Sequence, residues 1–100
     1  MKTTFKEEDN YFVMYFEGRL DTAASAQTEE DMKPLYDCSG HDIILDCTNL
    51  EYISSSGLRI LLNIRKNAAA VGSKVTILNI NIEIQKVFEM TGFINLFEFK

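Results

Sequence analysis

Three consecutive serines, Ser54, Ser55 and Ser56, stand ahead of Gly57 and Leu58 in the run Asp46-Cys47-Thr48-Asn49-Leu50-Glu51-Tyr52-Ile53-Ser54-Ser55-Ser56-Gly57-Leu58. The apolar residues before them read as a strand leading into a loop, and the spaced apolar residues after them read as a helix, so the serines open a helix. The start of a helix presents unpaired backbone N–H groups and the positive end of the helix dipole. Together these favour an anion there by about 0.3–1 kcal/mol at an exposed site. Two chemistries fit a serine in this place. Its hydroxyl can cap the helix, as hydroxyls do in any protein, or it can carry a phosphate whose charge the helix start welcomes. The residue types leave both open.

Other chemistry finds little material. A nucleophilic serine needs a base and an orienting group, and the chain has a single imidazole, His41, in a turn at the far side of a strand. Neither Gly-x-x-x-x-Gly-Lys nor Gly-x-Gly-x-x-Gly occurs, so no phosphate-cradling glycine loop supports nucleotide hydrolysis. Catalysis is not expected. Cys38 and Cys47 together with His41 have no zinc-ligand spacing, and Glu29-Glu30-Asp31 reads as a solvated face, so neither a metal nor a cofactor is expected. Cys47 lies in an apolar stretch and reads as a small buried hydrophobe; both cysteines are expected to be free thiols.

The elements that must hold the serines follow from periodicity. Phe5 to Glu8 and Tyr11 to Glu17 read as a hairpin turning at Asp9-Asn10, and Tyr11 to Phe16 is apolar enough to lie inside a sheet, buried on both faces. Gly18 to Thr22 breaks the strand, and Asp21 or Thr22 caps a helix through Ala23, Ala24 and Ala26 that stops or kinks before Pro34. Ile43 to Cys47 reads as a strand. From Ser55 to Val71 a helix places Leu58, Leu61, Leu62, Ile64, Ala68 and Val71 on one face, with Arg59, Asn63, Lys66 and Asn67 on the other. Gly72 then suits a left-handed helix end, Lys74 to Leu78 a buried strand, Asn81 the cap of a third helix through Ile84, Val87 and Phe88, and Leu96 to Phe99 a last strand. Strands alternating with helices imply right-handed crossovers. The fold class is α/β, a mixed sheet of about five strands that opens with an antiparallel hairpin and has helices packed around it.

With 100 residues, one core is expected, and residues 1–100 form a single domain. Hydrophobic residues make up 46% and charged ones 25%, the composition of a folded globular chain and not of a disordered one. A formal net charge of -5 offers no basic face for phosphate neutralisation, so direct nucleic-acid binding is not expected. No apolar run reaches the roughly 20 residues that cross a bilayer, and Met1-Lys2-Thr3-Thr4 leads into charged residues, so a cytoplasmic location without membrane insertion is expected.

Three segments in order carry a resemblance. Asp46 to Leu62 resembles the signature of the STAS domain, found in bacterial anti-sigma-factor antagonists and as a regulatory appendage of anion transporters. Gly18-Arg19-Leu20-Asp21 resembles the family's Gly-x-Leu-Asp after the second strand, and Val87-Phe88-Glu89-Met90-Thr91-Gly92-Phe93 resembles its segment before the last strand. The resemblance implies a phosphate acceptor at Ser55, the first serine after the position where the family usually has aspartate. Ser54 fills that aspartate position here, which makes Ser54 a competing acceptor, with Ser56 a further alternative. It also implies a partner-binding surface made of Asp21, Ser54, Ser55, Ser56, Gly57 and Arg59. Asp21 could equally be a plain helix cap. Family members commonly carry another helix after the last strand, and Lys100 follows directly on Phe99 here, so one flank of the sheet is expected to be less covered.

The function implied is partner switching in transcription control. The unphosphorylated antagonist binds an anti-sigma factor that is a serine kinase, is released when that kinase phosphorylates it, and is reset by a serine phosphatase. The alternative is a STAS-type accessory or regulatory subunit of a membrane transport complex, which would use the same surface. Neighbouring genes for an ATPase-like kinase and a phosphatase, or for transporter subunits, discriminate the two.

Overall fold

The computed structural model describes residues 1–100. Strand β1 (Lys2–Glu8) pairs antiparallel with β2 (Tyr11–Leu20), with Phe5 opposite Met14. At the turn between them Asp9 takes φ 53°, a left-handed conformation that aspartate and asparagine tolerate better than most residues. Helix α1 (Thr22–Asp31) then crosses to β3 (Asp42–Ile53), α2 (Ser55–Ala70) to β4 (Val75–Leu78), and α3 (Ile82–Met90) to the short β5 (Glu98–Phe99). Strands β2 to β5 run parallel, and the sheet order β1-β2-β3-β4-β5 is the order of the chain.

That order decides where the core sits. Crossovers of one hand that advance always in the same direction lay every helix on the same face of the sheet. Phe12, Met14 and Phe16 from β2, Ile43 and Leu45 from β3 and Ile77 from β4 meet Leu61 and Ile64 of α2 and Phe88 of α3 in one cluster. Truncating a buried leucine such as Leu61 to alanine in such a core costs about 2–5 kcal/mol. The other face carries no helix. Val13 is buried there, in register with Lys6 and Ile44, whereas Tyr15, Ile44 and Thr76 stay partly exposed and Tyr11 is exposed. Burial on both faces of β2 is therefore met at Val13 but not along the whole strand.

Several element boundaries differ from the sequence expectation, each for a local reason. Strand β2 continues through Gly18 to Leu20, because Gly18 takes φ 104° inside the strand, a conformation open to glycine and strained for other residues. Strand β3 continues six residues beyond Cys47. Its register against β2 slips between Tyr15 and Glu17 and again between Gly18 and Arg19, each slip adding one residue to β3. The buried positions accordingly run Ile43, Leu45, Cys47, Leu50, Ile53, a spacing of two, two, three and three. At the other end of the chain, Phe93–Leu96 forms a 3-10 turn, leaving Glu98–Phe99 as the last strand. Val71 lies beyond the end of α2 and is 47% exposed, while Ile60, absent from the predicted apolar face, is buried. Helix α1 stops at Asp31 as expected, and Pro34 sits in the first turn of a 3-10 segment over Lys33–Tyr36.

Cys38 and Cys47 are both buried free thiols. Burial, with Asp46 alongside, pushes the Cys47 thiol up to about 12. Cys47 is expected to resist alkylation in the folded protein at pH 8 and to react fully after unfolding in urea, as read by mass spectrometry. The unfolded thiol ionises near 8.5, so folding stability from this group is intact below that pH and declines as pH rises from there towards 12. Equal labelling rates in the folded and unfolded chains would contradict the burial.

Candidate functional site

The parallel strands β2, β3 and β4 all end on one edge of the sheet, and α1, α2 and α3 all begin there. Asp21, Ser54 and Asn81 are the three caps, and each side-chain oxygen accepts a backbone N–H three residues on, from Ala24, Gly57 and Ile84. Asn81 also donates to the carbonyl of Leu50 at 3.2 Å, which ties the start of α3 to β3. Brought together in this way, three helix starts make the carboxyl edge of the sheet the most electropositive part of the backbone.

The starts of α1 and α2 are locked side by side. Leu20 and Ile53 pair as the last residues of β2 and β3, and the Ser54 N–H donates to the Leu20 carbonyl at 2.8 Å. One residue further on in each chain segment lie Asp21 and Ser55. Gly57 makes the packing possible. A Cβ at Gly57 would stand 2.6 Å from Cγ of Leu20, closer than side-chain carbons approach, and a tight 3.0 Å from Cγ1 of Ile53, so any side chain at residue 57 would force Leu20 or α2 to shift.

The three serines separate once their surroundings are known. Ser54 is 8% exposed, and its Oγ accepts the Gly57 N–H at 3.1 Å. It is the cap. Ser55 is the first residue of α2 and is exposed, and Ser56 is partly exposed. No acidic side chain occupies the first turn of α2, so a negative group on Ser55 would be the first there. Ser54→Ala is expected to lower stability by about 1 kcal/mol, because the Gly57 N–H loses its acceptor beneath the first turn. The check is the urea midpoint; an unchanged value would mean that water replaces the cap at no cost.

Beside Ser55 runs a groove of about 240 Å³ between α2 and the segment after α3, lined by Leu58, Arg59, Leu62, Thr91 and Phe93. Arg59 lies one turn beyond Ser55, exposed, and Met90, the last residue of α3 and next to Thr91 in the chain, is 87% exposed. On the other side of α3, Glu51, Tyr52, Glu83 and Val87 line a second groove of about 200 Å³. The guanidinium of Arg19 lies 4.4 Å over the ring of Tyr52, fixing an Arg–Tyr pair on the same edge. Of the six residues expected at a partner-binding surface, Ser55 and Arg59 are exposed, Asp21 and Ser56 are partly exposed, and Ser54 and Gly57 are buried beneath them. Sequence reasoning missed Leu62, Thr91 and Phe93 as groove walls: Leu62 read as part of the core face of the helix, and nothing local marks the other two as its neighbours.

His41 lies at the opposite end of β3 from Ser55. Its Nε2 meets Glu7 at 3.0 Å, and its ring stacks on Phe12 with centroids 4.1 Å apart. No imidazole stands near the serines.

Comparison with known proteins gives a family match and a set of solved structures with the same fold. Residues 2–100 match the family model described as the STAS domain. The chain is 29% identical over 97 residues, 97% of its own length and 84% of the other's, to BtrV of Bordetella bronchiseptica, a protein whose name describes it as a candidate anti-sigma factor antagonist. It is 26% identical over 85 residues to the anti-sigma-B factor antagonist of Staphylococcus aureus, covering 85% of this chain and 79% of that one. Among solved structures, the phosphorylated form of the Bacillus cell fate determinant SpoIIAA superimposes with a TM-score of 0.75 at 21% identity, over 99% of this chain and 91% of that one. The anti-sigma factor antagonist SpoIIAA in its unphosphorylated form gives 0.72 at 22% identity, over 89% and 83%. These structures share the fold.

Proposed function

Since the chain belongs to the STAS domain family, we propose that it is an anti-sigma-factor antagonist whose partner choice is set by phosphorylation of Ser55. The unphosphorylated protein docks an anti-sigma factor through the edge where α1 and α2 begin, with Asp21, Ser55, Ser56 and Arg59 at the contact and Ser54 and Gly57 holding the surface in shape. That partner is a serine kinase. It transfers a phosphoryl group to Ser55 and is expelled by the charge it has added, and a serine phosphatase resets the cycle. The protein acts in the cytoplasm as ligand and substrate, not as catalyst, and needs no cofactor, metal, nucleic acid or membrane insertion.

The observation that carries this reading is the division of labour among the serines. Ser54 is occupied as a buried cap, while Ser55 stands exposed at the first position of a helix beside an apolar groove. A phosphate there adds about -1.5 to -2 charge to a surface that must be desolvated for docking, which disfavours the complex. The existence of SpoIIAA in both phosphorylated and unphosphorylated forms supports the same chemistry. The test is affinity capture from the native cell with phosphosite mapping of the captured chain. Recovery of an anti-sigma factor with phosphate on Ser55 is the expected result. Phosphate on Ser54 or Ser56, or capture of transporter subunits alone, would overturn it.

Asp21 separates into two roles by substitution. Its carboxylate caps α1 at 2.9 Å and lies beside the serine junction. Asp21→Asn keeps the capping oxygen, so stability is expected to stay within about 0.5 kcal/mol of wild type, while affinity for the anti-sigma factor falls severalfold. Affinity unchanged in calorimetry would leave Asp21 as a cap alone.

A further inference from the structure

We infer that Arg59 is the internal counter-ion of phosphorylated Ser55, so that modification withdraws from the docking groove the cation which the unphosphorylated protein offers its partner. This rests on the Ser55 reading above and adds a second consequence of the same event. Charge is added at one residue and removed from use at another.

Residues 55 and 59 stand four apart on α2, one above the other on the same stripe, the spacing at which side chains on a helix meet. Both line the same groove, where Arg59 is the only charged wall. Arg59 makes no hydrogen bond and no ion pair in the structure, and its neighbours in the groove are Leu58, Leu62, Thr91 and Phe93, so its guanidinium is free to turn. The other cations of this region are less available. Arg65 donates through Nε to the Leu96 carbonyl at 3.0 Å, and Arg19 lies over Tyr52. Lys66 is eleven residues along the helix from Ser55, about 16 Å at 1.5 Å per residue.

The chemistry suits arginine. When the γ-phosphoryl of a nucleoside triphosphate is transferred, the Ser55 Oγ–P bond forms, the P–O bond to the diphosphate breaks, and the hydroxyl proton leaves to the kinase's base. The product carries three acceptor oxygens, and a guanidinium presents parallel donors that match two of them. The free N–H groups of the first turn of α2 hold the phosphate from below, while Arg59 reaches it from the next turn. Without phosphate the same guanidinium points to a partner carboxylate over an apolar floor.

The test needs no kinase. Phosphoserine is incorporated at position 55 of the full chain during synthesis, in wild type and in Arg59→Gln, and the phosphate is titrated by phosphorus NMR. Arg59 is exposed and glutamine is a good helix former, so both proteins fold; Asp21 at the adjacent helix start is common to both. The second phosphate ionisation is expected at least about half a pH unit lower in wild type, a threefold difference in proton affinity, since a cation favours the dianion. Arg59→Lys should recover part of the difference, and the Arg59 Nε–H resonance should move on phosphorylation of wild type. Identical titration curves in wild type and Arg59→Gln, or an unmoved Arg59 resonance, would refute the pairing. Because the phosphate is installed chemically, that result would leave the Ser55 switch standing, whereas failure to find phosphate on Ser55 in the cell would remove the switch and not the pairing.

Discussion

Ser55→Asp is expected to weaken binding of the anti-sigma factor at least tenfold, about 1.4 kcal/mol, while leaving the fold intact. The helix tolerates the carboxylate, because the first turn of α2 holds no other acid and its dipole favours negative charge. The interface does not. Ser55 borders the groove walled by Leu58, Leu62 and Phe93, and a carboxylate placed there must give up water against an apolar floor. Aspartate carries less charge than phosphate, so the phosphorylated chain should bind more weakly still. Ser55→Ala is the complementary variant. Ser54 is the cap, so alanine at position 55 should cost less than about 0.5 kcal/mol in stability, keep binding within about twofold and abolish phosphorylation. Calorimetry with the purified partner decides the matter, and Ser55→Asp binding as tightly as wild type would end the proposal.

Gly57→Val is expected to destabilise the domain by about 3 kcal/mol or more. Cβ alone would stand 2.6 Å from Cγ of Leu20, a fully buried side chain, and valine adds two methyl groups at the same spot. The rise in helix propensity over glycine recovers only about 0.5 kcal/mol. At about 4–8 °C per kcal/mol for a chain of this size, the melting temperature should drop by more than 10 °C. Gly57→Ala should fall between the two, since its single Cβ meets the same atoms and regains about 1 kcal/mol of propensity. Leu20→Ala added to Gly57→Val should recover part of the loss, as the clash partner is then gone. A valine variant as stable as wild type would show that α2 can lift off Leu20 without cost.

Much of this architecture is legible in the residues. The apolar run of β2 and the three-and-four spacing of α2 are strong signals, and both elements lie where their patterns put them. Helix α1 is legible by its ends, Asp21 and Pro34, more than by its face, which is rich in alanine and fully buries only Thr28. The second half of β3 was hidden because two extra residues break the alternation on which strand recognition depends, so Leu50 and Ile53 look like loop. At the site, the sequence shows three serines at a helix start but not which of them caps. Any of the three could, and only the approach of Ser54 to Leu20 and Gly57 selects one. The need for glycine at position 57 comes from Leu20, thirty-seven residues away, and the groove walls Thr91 and Phe93 lie almost as far along the chain on the other side. Such contacts have no local signature.

The coincidence of strand order with chain order has a consequence for synthesis. Each strand leaving the ribosome finds its neighbour already in place at the growing edge of the sheet, and no strand must wait for a later one to fill a gap between earlier ones. The serine site, built from the ends of β2 and β3 and the first turns of α1 and α2, lies wholly ahead of α3 in the chain and leaves the ribosome before it. What comes last is the wall. Until Thr91 and Phe93 emerge, the groove beside Leu58 and Leu62 lacks its far wall, so a nascent chain presents its acceptor serine without the groove that a partner would enter.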